Sequence, residues 1–314
     1  MKNKPSILFW GTPGFALPVL ETLQNQNFAM AGVVTRPDEP VGREQIITPP
    51  PAKVFAQARN IPIFQPESLK TMARQDLPPA DLYIVAAYGK IIPKQILEIP
   101  KFCALVLHPS LLPRWRGPSP VQFSILNGDE VAGVTIMKMD ELMDHGPIVA
   151  QRVVCDIDRK SFTELNPILW EAGTKLLMET LPKWIDGEIT GIEQDDASAT
   201  FSKMLKRDDG RIDWKKPASE IERMIRAFNP WPGTWTLLPT KDKIMRVKIE
   251  KGDAEDEEIL EGSPGYLRIV DDRPLIKTGR GSIALKEVTL EGKKTLDAPS
   301  FLRGYSHLIG TTFI

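Results

Sequence analysis

The sequence predicts an α/β fold: a Rossmann-like parallel-sheet domain followed by a smaller, mostly β unit. Three observations carry that expectation. Short apolar runs alternate with helix-period stretches through residue 185, the pattern of a parallel sheet covered by helices. Ser6-Ile-Leu-Phe-Trp10 runs into Gly11-Thr-Pro-Gly14 and then into a helical spacing of Phe15, Leu17, Val19, Leu20 and Leu23, the strand–turn–helix opening of a doubly wound domain. Beyond residue 210 a helical period occurs at 219–228, and the rest is short strands separated by turns. The glycine turn is not Gly-x-Gly-x-x-Gly, so no dinucleotide site is expected there.

In chain order, residues 30–35 form the second strand. Residues 36–51 hold Pro37, Pro40, Gly42 and three consecutive prolines from Pro49, show no period, and are expected to form a long loop; loops of that length are usually functional or disordered. Residues 52–58 read as helix, 61–64 as a short strand, 81–87 as a buried strand ending at Tyr88-Gly89, and 91–97 as a short helix. A strand at 104–107, a helix at 120–127, strands at 133–139 and 148–154, and a long helix at 161–185 complete the first domain, 1–189; Ser161 with Glu164 three residues on is its N-terminal cap. The polar stretch 190–209 reads as a linker. In the second domain, 210–314, Ile221, Met224, Ile225 and Phe228 share one helix face, and strands at 244–249, 265–270, 275–278 and 282–288 suggest a small barrel or sandwich.

Bulk properties exclude several classes. Hydrophobic residues at 42% and charged residues at 26% are ordinary for a globular protein, and a net charge of −1 gives no global attraction to nucleic acid. Residues 200–314 hold 21 Lys+Arg against 18 Asp+Glu, a balance of +3, which leaves −4 for residues 1–199 and puts the more basic surface on the second domain. Cys103 and Cys155 are too few for a disulfide framework or a tetrahedral metal site and are expected as buried thiols in a reducing cytosol. No spacing of His, Asp and Glu suggests a metal. No apolar run approaches the roughly 18 residues of a membrane span, and the N-terminus leads directly into a strand, so a cytoplasmic location without membrane partners is expected.

The chemistry points to 105–120. His108 follows a buried strand and precedes a loop stiffened by Pro109, Pro113, Pro118 and Pro120, which is where open α/β sheets bind ligands. Arg114 and Arg116 flank Trp115, a grouping suited to an anion or a flat ring. The strand at 133–139 delivers Asp140 and Asp144. An Asp that accepts a hydrogen bond from a His fixes its tautomer and stabilises its protonated form, which suits proton transfer as an amine attacks a carbonyl. His145 reads as a solvated neighbour and Asp140 as a turn cap. No nucleophile elbow is present, so acyl transfer through a covalent serine or cysteine is not expected.

Several segments together resemble the methionyl-tRNA formyltransferase family along nearly the whole chain: Gly11-Thr-Pro13, Thr35-Arg-Pro-Asp38 with Gly42-Arg43, Phe64-Gln-Pro66, Ala86-Ala-Tyr-Gly89, His108-Pro-Ser-Leu-Leu-Pro-Arg-Trp-Arg-Gly117, Gly133-Val-Thr-Ile136, Asp144-x-Gly146, Asp209-Gly-Arg-Ile-Asp-Trp214 and Arg226-Ala-Phe-Asn-Pro-Trp-Pro-Gly233. The resemblance implies a formyltransferase domain followed by an OB-like barrel, a type that binds nucleic-acid strands. It implies transfer of the formyl group of 10-formyltetrahydrofolate, a co-substrate, to methionyl initiator tRNA; a monomer without a metal is expected. It assigns catalysis to His108 and Asp144, the folate site to Ser110, Leu111, Leu112 and Pro113 with Tyr88 and Gly89, and tRNA contact to Arg36 and Arg43 in the 36–51 loop. It also implies a cis Leu112–Pro113 bond.

The chain departs from the family at two places. The family's catalytic set is Asn-x-His with Asp, and Val106 stands at the Asn position. An asparagine amide can donate to the oxygen that gains charge during attack; a valine cannot, and losing one such donor costs on the order of 10²–10³ in rate. Glu44-Gln-Ile-Ile47 also follows Arg43 where the family usually places lysines, which removes positive charge facing phosphates. These departures keep two alternatives in view, a sugar N-formyltransferase and a catalytically impaired paralogue.

Overall fold

The computed structural model describes residues 4–42, 44–239, 244–255 and 261–314. The chain divides into two compact units: Met1–Pro120, Val131–Asp156 and Asn166–Lys203 form the first, and Val121–Glu130, Ile157–Leu165 and Met204–Ile314 the second.

The apolar runs at 7–11, 82–86, 104–108 and 132–137 form strands that are buried on both faces. Up to residue 185 the elements are β1 (Ser6–Gly11), α1 (Leu17–Asn25), β2 (Ala29–Val34), β3 (Glu39–Val41), β4 (Ile46–Thr48), α2 (Pro51–Ala58), β5 (Ile63–Phe64), β6 (Leu82–Ala86), α3 (Lys94–Leu97), β7 (Ala104–His108), α4 (Pro120–Asn127), β8 (Val131–Lys138), β9 (Ile148–Asp156) and α5 (Phe162–Ile185); α4 beyond Pro120 and α5 up to Leu165 fall in the second unit. Among the described residues seven strands form one sheet in the order β5-β2-β1-β6-β7-β8-β9. The strands from β5 to β7 are parallel; β8 and β9 are antiparallel to their neighbours. The sheet is therefore mixed rather than all parallel, as expected from the strand–helix alternation. Residues 139–147 are too few for the crossover that a parallel β8–β9 pair would need.

The chain leaves β1 toward β2 on one side and returns to place β6 on the other. The carboxyl ends of β1, β6 and β7 flank and adjoin this reversal, where doubly wound sheets open a crevice. The ends carry Thr12, Ala87–Gly89 and His108, and Thr12 Oγ1 donates to the Tyr88 carbonyl at 3.3 Å.

Local differences from the expected elements have local causes. The 36–51 stretch contains a hairpin, β3 paired with β4 through Glu39↔Thr48 and Val41↔Ile46, turned through Gly42 at φ +76 and Gln45 at φ +52. Its β-branched Val41, Ile46, Ile47 and Thr48 support strand geometry that the prolines around them obscure. The expected 91–97 helix begins at Lys94, because a proline at 93 disfavours helix in the residue before it. Cys103 and Cys155 are not joined in a disulfide and are only partly buried rather than sealed in the core.

The second unit is organised by α6 (Ala218–Phe228), β10 (Trp235–Pro239), β11 (Ile244–Glu255), β12 (Leu267–Val270), β13 (Arg273–Lys277), β14 (Ser282–Leu290), β15 (Thr295–Asp297) and α7 (Ala298–Tyr305). Its antiparallel sheet runs β10-β11-β14-β13-β12, with β15 on β14. The last residues join the two edges. Leu237 and Ile314 exchange backbone bonds at 3.0 and 2.8 Å, while Leu267 and Phe313 donate to Thr311 and Gly265 at 2.9 and 2.8 Å. Ile221 and Ile225 of α6 pack with Val247, Ile249, Leu285 and Phe313 in one core. Phe313 is 1% exposed and its ring lies 6.2 Å from that of Trp214. Phe313→Ala is expected to cost about 3–5 kcal/mol, read as a lowered denaturation midpoint of this unit.

Candidate active site

β7 carries the site. His108 is its last residue and is 6% exposed; Val106, two residues earlier on the same face, sits in a core cluster with Val85, Tyr88, Leu112 and Met137. After β7 the chain must double back within a few residues, and it does so with Trp115 at φ +59 and Gly117 at φ +114. That turn brings the Trp115 carbonyl to 3.0 Å from His108 Nε2. A carbonyl only accepts, so this contact places the proton on Nε2 and leaves Nδ1 to receive another. Nδ1 faces Asp144 Oδ1 at 3.7 Å, and Asp144 Oδ2 accepts from the Gly117 amide at 2.7 Å. An imidazole from the tip of β7 and a carboxylate from the β8–β9 connection thus lie side by side, with one ring nitrogen able to gain a proton next to negative charge.

Polar side chains, among them the buried Thr135 and Ser202, fix the loop that builds this pair. Thr135 Oγ1 on β8 donates to the Ser110 carbonyl at 2.7 Å and accepts from the Leu112 amide at 3.2 Å, while Gln151 Nε2 on β9 donates to the Leu112 carbonyl at 2.8 Å. The Leu112–Pro113 bond is cis, as the resemblance implies. Thr200 and Ser202, from the stretch expected to be a linker, hold the other side. Thr200 Oγ1 accepts from the Trp115 amide at 2.9 Å, its carbonyl accepts from the Arg116 amide at 2.9 Å, and Ser202 donates its amide to the Arg116 carbonyl at 2.7 Å. A Cβ on Gly117 would stand 2.3 Å from the Ser202 carbonyl oxygen. Gly117→Ala is therefore expected to lower stability by about 1–3 kcal/mol and to displace the amide that holds Asp144; a melting curve run beside a transfer assay measures both effects.

The sequence-selected residues are placed as follows. Ser110 is 3% exposed and its hydroxyl donates to the Arg114 carbonyl at 2.7 Å; Leu112 is 2% exposed, in the core. Leu111 packs on the backbone of Gly133, where a Cβ would meet its Cδ2 at 2.4 Å. Pro113 is half-buried and Gly89 exposed. Tyr88 is buried edge-on to Trp10 at 5.2 Å between ring centroids. The Tyr88 and Tyr83 hydroxyls and Trp10 Nε1 have no hydrogen-bonding partner in the structure, and burial pushes both tyrosines up to about 12. Arg36 pairs with Glu39 at 2.9 Å, at the foot of the hairpin whose Val41, Ile46 and Ile47 are exposed. Arg43 lies outside the described residues.

Arg116 differs from expectation. It is 4% exposed and committed to the protein, with Nη2 at 2.7 Å from Asp196 and Nε donating to Gln194 at 3.0 Å, so it is not held out for an anion. Asp140 does cap its turn, accepting from the Leu142 amide at 3.0 Å, but it also takes His145 Nδ1 at 2.7 Å, so His145 is not a solvated bystander. Thr135, Gln151, Gln194 and Thr200 were missed by sequence reasoning. Only Thr135 carried a signal, as the one hydroxyl within the apolar run 133–137. Among the described residues no group of His, Cys, Asp and Glu could hold a metal, and no helix is long and apolar enough to cross a membrane.

The chain thus combines a mixed doubly wound sheet, a His–Asp pair at the tip of β7 and the β8–β9 connection, and a closed antiparallel β unit, and its relatives define it as a group-transferring enzyme. The chain belongs to the formyl transferase family: residues 4–181 match the family described as formyl transferase, and residues 204–306 match its C-terminal domain. Within that family it is 41% identical over 304 residues to the methionyl-tRNA formyltransferase of Chloroflexus aurantiacus, covering 95% of this chain and 96% of the relative. Solved structures share the fold. The N-formyltransferase from Helicobacter canadensis, in complex with folinic acid and dTDP-3-aminofucose, superposes with a TM-score of 0.63 at 19% identity over 89% of this chain and 98% of that one. HypX from Aquifex aeolicus in complex with tetrahydrofolic acid gives 0.61 at 18% identity over 98% of this chain; the chain spans about half of HypX, 48% of its length.

Proposed function

We propose that this formyl-transferring enzyme moves the formyl group of 10-formyltetrahydrofolate to the amino group of methionine esterified to initiator tRNA. The observation that carries the reading is the His108–Asp144 pair, 3.7 Å apart at the tips of β7 and the β8–β9 connection. The near-full-length identity to a methionyl-tRNA formyltransferase supports the choice of acceptor.

In this reading the methionyl nitrogen attacks the formyl carbon and a C–N bond forms. The proton released from that nitrogen passes to His108 Nδ1, and the Asp144 carboxylate stabilises the resulting imidazolium. The bond from the formyl carbon to N10 of the folate then breaks, N10 takes up a proton, and tetrahydrofolate leaves with the formyl group on the methionyl nitrogen. Ser110, Leu111, Leu112 and Pro113 form the wall of the donor site with Tyr88 and Gly89. The buried side chains of Ser110, Leu112 and Tyr88 leave the half-buried Leu111 and Pro113, the exposed Gly89 and the loop backbone to meet the folate. Arg36 and Arg43 meet the tRNA acceptor end. The enzyme works as a monomer in the cytoplasm, where translation begins.

Parallel transfer assays test this. With 10-formyltetrahydrofolate as donor, methionyl initiator tRNA is expected to be formylated, while a dTDP-linked amino sugar stays unmodified. Formylation of the sugar alone would move the chain to the sugar enzymes, and binding of both substrates without product would make it an impaired relative.

A further inference from the structure

Asp144 is not held by Gly117 alone. The residue after it, His145, spans two carboxylates: Nδ1 is 2.7 Å from Asp140 Oδ2, and Nε2 is 3.5 Å from Asp196 Oδ2. Asp196 also takes Arg116 Nη2 at 2.7 Å. Arg116 Nε donates to Gln194 Oε1 at 3.0 Å, and Gln194 Nε2 donates back to the carbonyls of Asp144 and Gly146 at 2.9 and 2.8 Å. The contacts form a closed ring around Asp144, itself at φ +50. Every link but one is a fixed donor–acceptor match. The exception is His145, which satisfies both carboxylates only when both nitrogens carry protons.

We propose that His145 is a positioning residue: in its charged form it closes this ring and holds Asp144 against His108. The proposal deepens the formyl-transfer reading and rests on it for its catalytic consequence. His145 is raised above the ordinary imidazole value of 6.5, first by its hydrogen bond to Asp140 and further by the charges of Asp140 and Asp196; partial burial and Arg116 oppose the shift. The groups facing the ring are Asp140 from its own loop, Asp196 from the 194–198 stretch and Arg116 from the loop after β7. The sign follows. A raised value means the clamp is complete below pH 6.5 and is lost as pH rises through the raised value. On deprotonation one ring nitrogen presents a lone pair to a carboxylate, and that link opens.

The Gly117 amide, which donates to Asp144 Oδ2, reports the clamp without any need for turnover. Its hydrogen-exchange protection, measured by NMR, is expected to fall on the order of tenfold in His145→Asn, because a bond to a charged partner is loosened. In the unmodified protein the same protection is expected to fall with rising pH along the titration of the His145 ring protons, assigned by their loss in the variant. Transfer should follow the same midpoint through kcat, with KM for the folate donor unchanged. Asp196→Asn, at an exposed position, is the second variant; it keeps the fold and should lower the midpoint of His145. Equal Gly117 protection in the unmodified protein and both variants at every pH overturns the proposal. Protection that responds while the pH profile of kcat does not also overturns it, since Asp144 would move without consequence for catalysis. Protection that responds in a protein that transfers nothing upholds the clamp and sinks the functional reading instead.

Discussion

His108→Ala is expected to lower kcat for formyl transfer by roughly 10²–10⁴, the contribution of a positioned general base. The side chain is buried at the tip of β7, with one nitrogen on the Trp115 carbonyl and the other facing Asp144. The neighbouring imidazole, His145, is engaged between Asp140 and Asp196. Removing the ring also leaves the Trp115 carbonyl without that partner, which costs about 1–3 kcal/mol if the group stays buried. His108→Gln separates the two effects. Its amide can still donate to the carbonyl but cannot accept a proton near neutral pH, so its stability should recover while its rate stays low. Folate binding, measured by fluorescence or calorimetry, should survive in both variants. A His108→Gln enzyme at full speed would remove the imidazole from the mechanism.

Val106→Asn is expected to act in the opposite direction and to raise the rate on the order of 10²–10³. Val106 shares its β7 face with His108 and sits between Val85 and Met137 in adjacent strands. An amide there would project from the same strand face as the imidazole and can donate to the oxygen that becomes negative when the amine attacks. The gain has a stability cost. The position is 8% exposed within an apolar cluster, so an amide whose hydrogen bonds are incomplete in the free enzyme is expected to lower stability by about 1–3 kcal/mol. Faster turnover with a lower melting temperature is the paired signature. Val106→Ala is the control: it loses stability and gains no rate. An unchanged rate in Val106→Asn would mean that a backbone N–H already fills the oxyanion role in this chain.

Much of the fold was legible because burial writes itself into composition. The strands β1, β6 and β7 are unbroken apolar runs, and α6 shows a clean apolar face with Ile221 and Ile225 inward. His108 was singled out because a histidine ends such a run, and Asp144 because it stands in the loop after the 133–139 strand. What was not legible depends on contacts between distant segments. The antiparallel pairing of β8 with β7 leaves no mark in either strand, whereas that of β9 with β8 could have been read from their short connection, 139–147. The closure of the second unit by Phe313 and Ile314 joins residues far from β10 and β12 in sequence. Arg116 looked available because its partners, Gln194 and Asp196, lie in a polar stretch that carries no period. The hairpin β3–β4 was hidden by prolines that suggest irregular chain. His145 looked like a solvated neighbour for the same reason: the second carboxylate that engages it comes from some fifty residues further along the chain, at Asp196.

The most direct test of the account is a single-turnover transfer from 10-formyltetrahydrofolate to methionyl initiator tRNA, run with saturating substrates on the unmodified enzyme and on Asp144→Asn. The asparagine keeps the shape of the side chain and can still accept from the Gly117 amide, so only the charge beside His108 is removed. The account predicts formyl-methionyl-tRNA from the unmodified enzyme and a rate on the order of a hundredfold or more lower from the variant, with donor and tRNA still bound. Equal single-turnover rates in the two proteins would contradict it.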